Sequence, residues 1–445
     1  MAQNEPAGAR ELPRMIVRPL QEFLATETAS GVLLLAAAIV ALVWANLPGD
    51  SYADFWHRVI ALDLDFVTLD LTLEEWVSDG LMAIFFFIVG LEIKRELLRG
   101  ELADPRRAAL PAAAAIGGMV LPAAIFVAFN NSGEQARGWG IPMATDIAFS
   151  VGLLALLGSR VPLALKIFLL ALAIVDDLGA IAVIAIFYTD DLAVSWLLLA
   201  LLMFALTYVF GRLGVRDLVV YLAVALVAWL AVHESGVHAT VAGVALGLLT
   251  PVDPVYDPEK LRASASDLVG QFASGKAEGT PEGTEHANAA LRELEELARE
   301  SQSPLDRLEH SLHPWSSFLI VPVFALANAG VDLGGGAIGD AATSSLTLGV
   351  ALGLMIGKPV GILLASYLAV RAGLATLPAG VNWRQVGAVG MIAGIGFTVS
   401  LFITALAFDD AQLIDEAKIG VLVGSIVMGV AGLLTLRAVA ADPQE

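Results

Sequence analysis

Long apolar runs are the feature of this sequence that most constrains its fold. A helix needs about 20 apolar residues to cross the hydrocarbon core of a bilayer, and runs near that length recur from residue 30 to residue 438. Only 16% of the 445 residues are charged and 57% are hydrophobic, whereas soluble domains carry about 25% charged residues. The pattern predicts an all-α polytopic membrane protein and excludes a soluble or secreted chain.

The apolar runs between polar breaks predict about 12 transmembrane helices. They fall at 30–47, 76–96, 108–129, 139–158, 163–188, 194–211, 217–232, 237–250, 315–331, 345–370, 385–407 and 418–438. Of the 25 Lys and Arg residues, 21 lie on the side that carries both termini. The other side has only Arg58, Arg137 and Lys418. Because basic residues concentrate in cytoplasmic loops, both termini are predicted to be cytoplasmic.

The polar stretches divide the chain into five parts. These are a cytoplasmic N-terminal segment at 1–28, eight spans within 29–252 with an external hairpin at 49–75, an acidic cytoplasmic insertion at 253–305, four spans within 306–438, and a tail at 439–445. The insertion predicts a flexible linker, GKAEGTPEGTEHANAA, followed by one short surface helix. Residues 57–73 predict a β-hairpin, for which an ordered loop and a homodimer contact both stay open.

Ionisable residues inside the predicted spans point to a pathway for ions or protons. They are Asp79, Asp146, Asp176, Asp177 and Lys358. A charge at the bilayer centre costs about 3 kcal/mol on insertion scales, and such groups usually face a bundle interior or a water-filled cavity. The alternative is a buried Asp–Lys pair that only joins helices, but four carboxylates and a lysine together favour a pathway.

Two of these carboxylates are adjacent, in LALAIVDDLGAIAVIAIF. Neighbours on a helix point about 100° apart, so one of Asp176 and Asp177 faces a cavity while the other reaches a neighbouring helix. Their repulsion makes them titrate as a coupled pair. Since a proton and a hard cation compete for the same carboxylate oxygens, the pair predicts a Na⁺ site that exchanges cation for proton.

Helix-breaking residues interrupt two spans in distant halves of the chain. Pro142 precedes Thr145 and Asp146 in span four. Three glycines surround the midpoint of span eleven, at Gly390, Gly394 and Gly396. Such interruptions are typical of transporters with inverted repeats, here spans 3–5 and 10–12, whose two interrupted helices cross at mid-membrane. We expect Asp146 to offset positive half-helix ends and Lys358 to offset negative ends or to pair with span five.

Eight segments together resemble the NhaA-type sodium/proton antiporters, a family that is itself a known case of inverted-repeat transport. They are WGIPMATDIAFSVG, LALAIVDDLGAIAVIAIFYT, SDGLMAIFFFIVGLEIKREL, SGVHATVAGV, RLEHSLHPW, PVFALANAGV, IGKPVGI and AGIGFTVSLFI. The resemblance implies a transporter, not an enzyme, without a cofactor. It would export Na⁺ or Li⁺ in exchange for H⁺, electrogenically and with alkaline activation, in the plasma (inner) membrane.

The resemblance also implies roles for individual residues. Asp177 would be the main cation ligand and proton carrier, and Asp176 would pair with Lys358 when the cation is absent. Thr145 and Asp146 would assist the site at the crossing. A pH-response region would comprise Glu92, Lys94, Arg95, Glu96, Glu309, His310 and His313. Histidine titrates near pH 6.5 when unperturbed, although a solvated helix end is the alternative for that region. Asp79 and His238 would be accessory.

Other functions fit the sequence less well. A sodium-coupled symporter of an organic solute also uses crossed broken helices, but would normally need a further polar pocket. A channel needs filter-like repeats, and an intramembrane aspartyl protease needs its two carboxylates on separate helices. No P-loop is present to bind ATP. The expected partners are Na⁺, Li⁺, H⁺ and membrane lipids, with no nucleic acid.

Overall fold

The computed structural model describes residues 14–63, 68–189, 192–215, 217–252, 258–334 and 337–440. Within these ranges the chain is helical apart from one antiparallel pair of strands. The α-helices and strands are α1 (Arg14–Ala45), α2 (Ser51–Trp56), β1 (Val59–Asp63), β2 (Thr68–Thr72), α3 (Leu73–Glu75), α4 (Met82–Arg99), α5 (Pro105–Phe129), α6 (Ile147–Leu156), α7 (Leu163–Phe187), α8 (Val194–Leu213), α9 (Leu218–His233), α10 (Thr240–Leu249), α11 (Pro258–Glu278), α12 (Pro281–Glu300), α13 (Pro304–Trp315), α14 (Val321–Asn328), α15 (Ala337–Thr343), α16 (Ser345–Leu352), α17 (Lys358–Arg371), α18 (Trp383–Ala393), α19 (Phe397–Ala407) and α20 (Ala411–Ala440).

Several of these helices are extended or interrupted by other helical geometries. Segments of π-helix occupy Trp76–Leu81, Ser316–Ile320 and Gly353–Gly357. Segments of 3₁₀-helix occupy Glu101–Ala103, Glu134–Met143 and Gly158–Arg160. Such irregular turns within a span mark places where the regular hydrogen-bond ladder is broken.

By length and composition, eight described helical segments are able to cross a bilayer. They are Thr28–Ala45, Leu73–Arg99, Pro105–Phe129, Glu134–Leu156, Leu163–Phe187, Val194–Leu213, Ser345–Arg371 and Ala411–Val439. A ninth is formed if α18 and α19, bent by 46°, are one interrupted span. The remaining predicted spans coincide with shorter apolar helices, α9, α10 and α14. The all-helical membrane fold is confirmed, and the count of twelve stays a prediction.

The core of the bundle depends on close approach between helix backbones. A Cβ atom built on Gly117 would lie 2.2 Å from the carbonyl oxygen of Gly361, and one on Gly361 would lie 2.1 Å from that of Gly117. Only glycine fits this contact between α5 and α17. Small residues serve this purpose in membranes because lipid supplies no hydrophobic drive for helix association. The contact brings the start of α17, at Lys358, into the interior.

The segment at 49–75 contains the antiparallel strand pair. Val59 of β1 lies opposite Thr72 of β2, and Asp63 lies opposite Thr68. Residues 64–67 of the predicted hairpin lie outside the described residues. Every residue of β1 is exposed, whereas Leu69 of β2 is buried beside Leu230. Its use as a dimer contact stays a prediction.

The insertion at 253–305 differs from its prediction of a flexible linker and one short helix. The described part, 258–300, forms two helices, α11 and α12, packed against each other with Ala287 and Leu297 buried. The apparent linker contains a turn at Gly279, which has a φ of +64°. Thr280 then accepts a hydrogen bond from the amide of Gly283 at 3.0 Å, so it caps a helix whose first residue is proline. Pro and Thr therefore start a helix here.

Three of the predicted segments are described only in part. Residues 1–13 of the N-terminal segment, 253–257 of the insertion and 441–445 of the tail lie outside the described residues. Lys418, which the sequence places among the external basic residues, is buried near the start of α20, and its side of the membrane stays a prediction.

Candidate functional site

The two interrupted spans cross in direct contact. In span four, the 3₁₀ segment Glu134–Met143 is followed by extended residues and then by α6. In span eleven, residues 394–396 separate α18 from α19. The amide of Asp146 donates to the carbonyl of Ile395 at 2.7 Å, and the Thr145 hydroxyl donates to the carbonyl of Ala393 at 2.8 Å. Each break therefore satisfies polar groups of the other, as the bilayer interior requires.

Asp146 caps both second half-helices at once. It is the N-cap of α6, where its Oδ1 accepts from the amide of Phe149 at 2.9 Å. Its Oδ2 accepts from the amide of Thr398 at 3.0 Å and from the Thr398 hydroxyl at 2.6 Å. Thr398 is the second residue of α19. The carboxylate therefore offsets the positive ends of two helix dipoles, which is the position we expected for it.

Lys358 and Asp176 form a fully buried ion pair. The ammonium of Lys358, the first residue of α17, lies 2.5 Å from Oδ2 of Asp176 on α7, and both side chains are 0% exposed. Thr145 at the crossing also lies beside the Asp176 carboxylate. The other oxygen, Oδ1, has no hydrogen-bond partner among the described residues. Asp176 is thus held by a cation on one side and left with spare acceptor capacity on the other.

Asp177 is the second buried carboxylate of the pair. It is 3% exposed, and its Oδ1 has no hydrogen-bond partner among the described residues. The charges that act on it are those of Asp176, Glu92, Asp146 and Lys358. A buried carboxylate oxygen without a partner is costly, so it favours a bound proton or a small cation. No cluster of three or more metal-ligating side chains occurs among the described residues, whereas a monovalent ion needs few charged ligands.

A charged cluster joins the C-terminal end of α4 to α13. Arg95 forms a salt bridge with Glu309 and lies 4.0 Å from Glu96. Glu92 acts electrostatically on Arg95, and His313 acts on Glu309. Burial raises the pKa of Glu309 above its ordinary value, and attraction to Arg95 opposes that shift. Five of the seven residues predicted for the pH-response region are thus brought together: Glu92, Arg95, Glu96, Glu309 and His313.

The two remaining residues of the predicted pH-response region are Lys94 and His310. His310 is exposed, and the contacts that join the cluster do not include it. Arg99 pairs with Asp306 at 3.0 Å and donates to the carbonyl of Val252 at 2.6 Å. Lys94 donates to the carbonyl of Thr250 at 2.6 Å. Side chains at the end of α4 therefore contact the chain on both sides of the α11–α12 hairpin, at 250–252 before it and at Asp306 after it.

The two residues predicted to be accessory, Asp79 and His238, lie in different elements. Asp79 lies in the π-helical segment before α4, with Oδ2 3.9 Å from Nδ1 of His233, and its carbonyl accepts from the indole of Trp229 at 3.0 Å. His238 lies between α9 and α10. The residue that sequence reasoning missed is therefore His233. The available signal was an ionisable residue directly after the apolar run 217–232.

Hydroxyl residues of the crossing were also missed. Thr398 holds Asp146, and two buried serines, Ser150 and Ser400, donate across the crossing to Ile392 and Ile141. The available signal was a hydroxyl side chain shortly after each helix break, because such residues favour helix starts.

Comparison with known proteins agrees with this architecture. The profile of the family described as Na+/H+ antiporter 1 matches residues 21–436. The chain is 48% identical to a Na(+)/H(+) antiporter NhaA 2 of Sorangium cellulosum, over 98% of this chain and 94% of the relative. It is 47% identical to a Na(+)/H(+) antiporter NhaA of Oleidesulfovibrio alaskensis, over 98% of both chains. The chain therefore belongs to the Na+/H+ antiporter 1 family.

Proposed function

We propose that the chain is a secondary active antiporter that exports Na⁺, or Li⁺, in exchange for H⁺. The observation that carries this proposal is the pair of buried, adjacent carboxylates beside the helix crossing. Asp176 is paired with Lys358, while Asp177 has an oxygen without a partner among the described residues. The relatives' names as Na(+)/H(+) antiporters support the choice of ions.

In the proposed exchange, a proton and the cation bind in turn to the same carboxylate oxygens. Asp177 holds either a proton or the cation, because a carboxylate that has bound one has little affinity left for the other. Na⁺ at the site also competes with the Lys358 ammonium for Asp176. Thr145 and Asp146 keep the crossing in place beside the site.

Transport is proposed to be electrogenic. If more protons enter per turnover than cations leave, each turnover moves net charge across the membrane. A membrane potential then contributes about 2.3 kcal/mol per 100 mV for each charge moved. Equal rates at zero and at imposed potential would contradict this part of the proposal.

Activation at alkaline pH is proposed to originate in the cluster around Arg95. Glu92 connects that cluster to the site, because its charge acts both on Arg95 and on Asp177. A change in the protonation of Glu309 or His313 alters the field at Arg95, and Glu92 transmits it. His310 is exposed, and we assign it no contact in this relay.

The chain is further proposed to lie in the plasma (inner) membrane with both termini cytoplasmic, as its basic residues indicate. The side chains of Val59, Ile60 and Leu62 on β1 are 61%, 48% and 43% exposed. Apolar side chains exposed next to each other favour a contact with a second copy. This supports a homodimer through the hairpin at 57–73.

The test uses proteoliposomes with an acidic lumen and a pH-sensitive dye. Na⁺, Li⁺ or K⁺ is added between pH 6 and 9 to wild type, to Asp177→Asn and to Asp340→Asn, a matched change at an exposed position in α15. Cation-dependent alkalinisation in wild type and Asp340→Asn, but not in Asp177→Asn, is the expected result. Activity that survives in Asp177→Asn would place the site elsewhere. No response to any cation in wild type would favour the sodium-coupled symporter.

A further inference from the structure

Two buried serines occupy matching places on the two interrupted spans. Ser150 is the fourth residue of α6, and Ser400 is the fourth residue of α19. Both are 0% exposed. Each amide donates at 3.0 Å to the carbonyl four residues earlier, which belongs to Asp146 in one span and to Gly396 in the other. The two serines therefore stand one turn beyond the two breaks.

The two hydroxyls bond across the crossing in opposite directions. The Ser150 hydroxyl donates to the carbonyl of Ile392 at 3.1 Å, and the Ser400 hydroxyl donates to the carbonyl of Ile141 at 2.7 Å. A serine in a helix commonly donates to a carbonyl of its own preceding turn. Here both acceptors lie instead in the last turn of the opposite first half-helix, and the Ile392 carbonyl also accepts from the amide of Ile395 at 3.0 Å.

The acceptor of Ser150 lies next to the contacts that reach the ion site. Ile392 precedes Ala393, whose carbonyl accepts from the Thr145 hydroxyl. Thr145 in turn lies beside the carboxylate of Asp176. A displacement of the end of α18 relative to α6 would therefore move Thr145 against Asp176.

We propose that Ser150 and Ser400 are positioning residues for ion exchange. Together they fix the position of the break in span four relative to the break in span eleven. This keeps Thr145 at a fixed place beside Asp176. Neither hydroxyl is a ligand of the cation in this arrangement, so each acts on cation affinity only through geometry. The inference rests on the ion site proposed above.

Kinetics in proteoliposomes test this role. Ser150→Ala and Ser400→Ala are each expected to raise the KM for Na⁺ about five-fold, the factor that corresponds to one hydrogen bond of about 1 kcal/mol, with little change in maximal rate. The matched control is Ser366→Ala. Ser366 is also 0% exposed, and its hydroxyl has no hydrogen-bond partner among the described residues. It loses the same atom without losing such a bond, so its KM is expected to stay at the wild-type value.

The unfolding temperature distinguishes a role of the two serines in positioning the ion site from a role in stabilising the fold alone. If the two alanine variants unfold at lower temperature but keep the wild-type KM and pH profile, the serines only support the fold and the proposal is overturned. If an alanine variant does not fold, Ser150→Cys and Ser400→Cys, which keep a weaker donor, are expected to show an intermediate KM, and a wild-type KM there would overturn it. Wild type that moves no protons with any cation would overturn the proposed function instead.

Discussion

Removal of Lys358 should destabilise the protein far more than removal of the whole ion pair. In Lys358→Ala, the carboxylate of Asp176 loses the ammonium 2.5 Å from Oδ2, while Oδ1 already has no hydrogen-bond partner among the described residues. Both side chains are 0% exposed, so water does not replace the lost partner. Breaking a buried pair in this way costs about 3–5 kcal/mol, because an uncompensated charge is left behind.

The double variant separates two effects on the free energy of unfolding: the destabilisation by an unpaired Asp176 carboxylate and the stabilisation by the ion pair itself. Lys358→Ala with Asp176→Asn leaves no charge without a partner, so it should recover much of the stability lost by Lys358→Ala alone. The assay is denaturant unfolding of the detergent-solubilised protein, with Ser366→Ala as the control for a change in α17. If the double variant is destabilised by the full sum of the single changes, the two residues are not coupled and the reasoning fails.

Three further changes test other parts of the structure. Asp146→Ala removes the cap of two half-helices and should lower the free energy of unfolding by about 2 kcal/mol, with a smaller loss in Asp146→Asn, which keeps an acceptor; equal losses would contradict the double cap. Because the pKa of Glu309 is higher in the folded protein than in the unfolded chain, protonation of Glu309 stabilises the folded state. This stabilisation is full below the ordinary pKa of 4.5 and is lost as pH rises through the raised value. The stability of wild type relative to Glu309→Gln should therefore fall with rising pH in unfolding titrations, and a constant difference would contradict the raised pKa. Replacement of 258–300 by a short flexible linker should leave the maximal transport rate unchanged. The amide of Leu305 donates to the carbonyl of Pro251 at 3.2 Å, so the chain before the insertion lies close to the chain after it and a short linker can join them. Loss of transport would show that the hairpin is part of the mechanism.

The sequence was sufficient to predict the membrane fold and the residues that gather at its centre. A bilayer admits few backbone arrangements, so apolar runs indicate spans, and glycine or proline within them indicates interruptions. Charged residues in such runs are rare and expensive. For these reasons Asp146, Asp176, Asp177 and Lys358 were identifiable before any contact was known, although their roles stay proposals.

Contacts between distant parts of the chain were not available from the sequence. The bond from Ser400 to Ile141 joins residues 259 positions apart, and no local pattern indicates such a partner. His310 and His313 are equivalent in the sequence, but of the two it is His313 whose charge acts on Glu309. The α11–α12 hairpin was mistaken for a linker because its turn residues resemble linker composition, while its stability comes from packing between two helices that are each weakly apolar.

The central claim is that a proton and Na⁺ use the Asp177 carboxylate in turn. The most direct measurement is proton release from the detergent-solubilised protein in weak buffer when NaCl is added, with choline chloride as the control salt. We predict that wild type releases protons on addition of Na⁺ and that Asp177→Asn releases none. Proton release of wild-type size from Asp177→Asn would contradict the account, because the exchanged proton would then reside on another group.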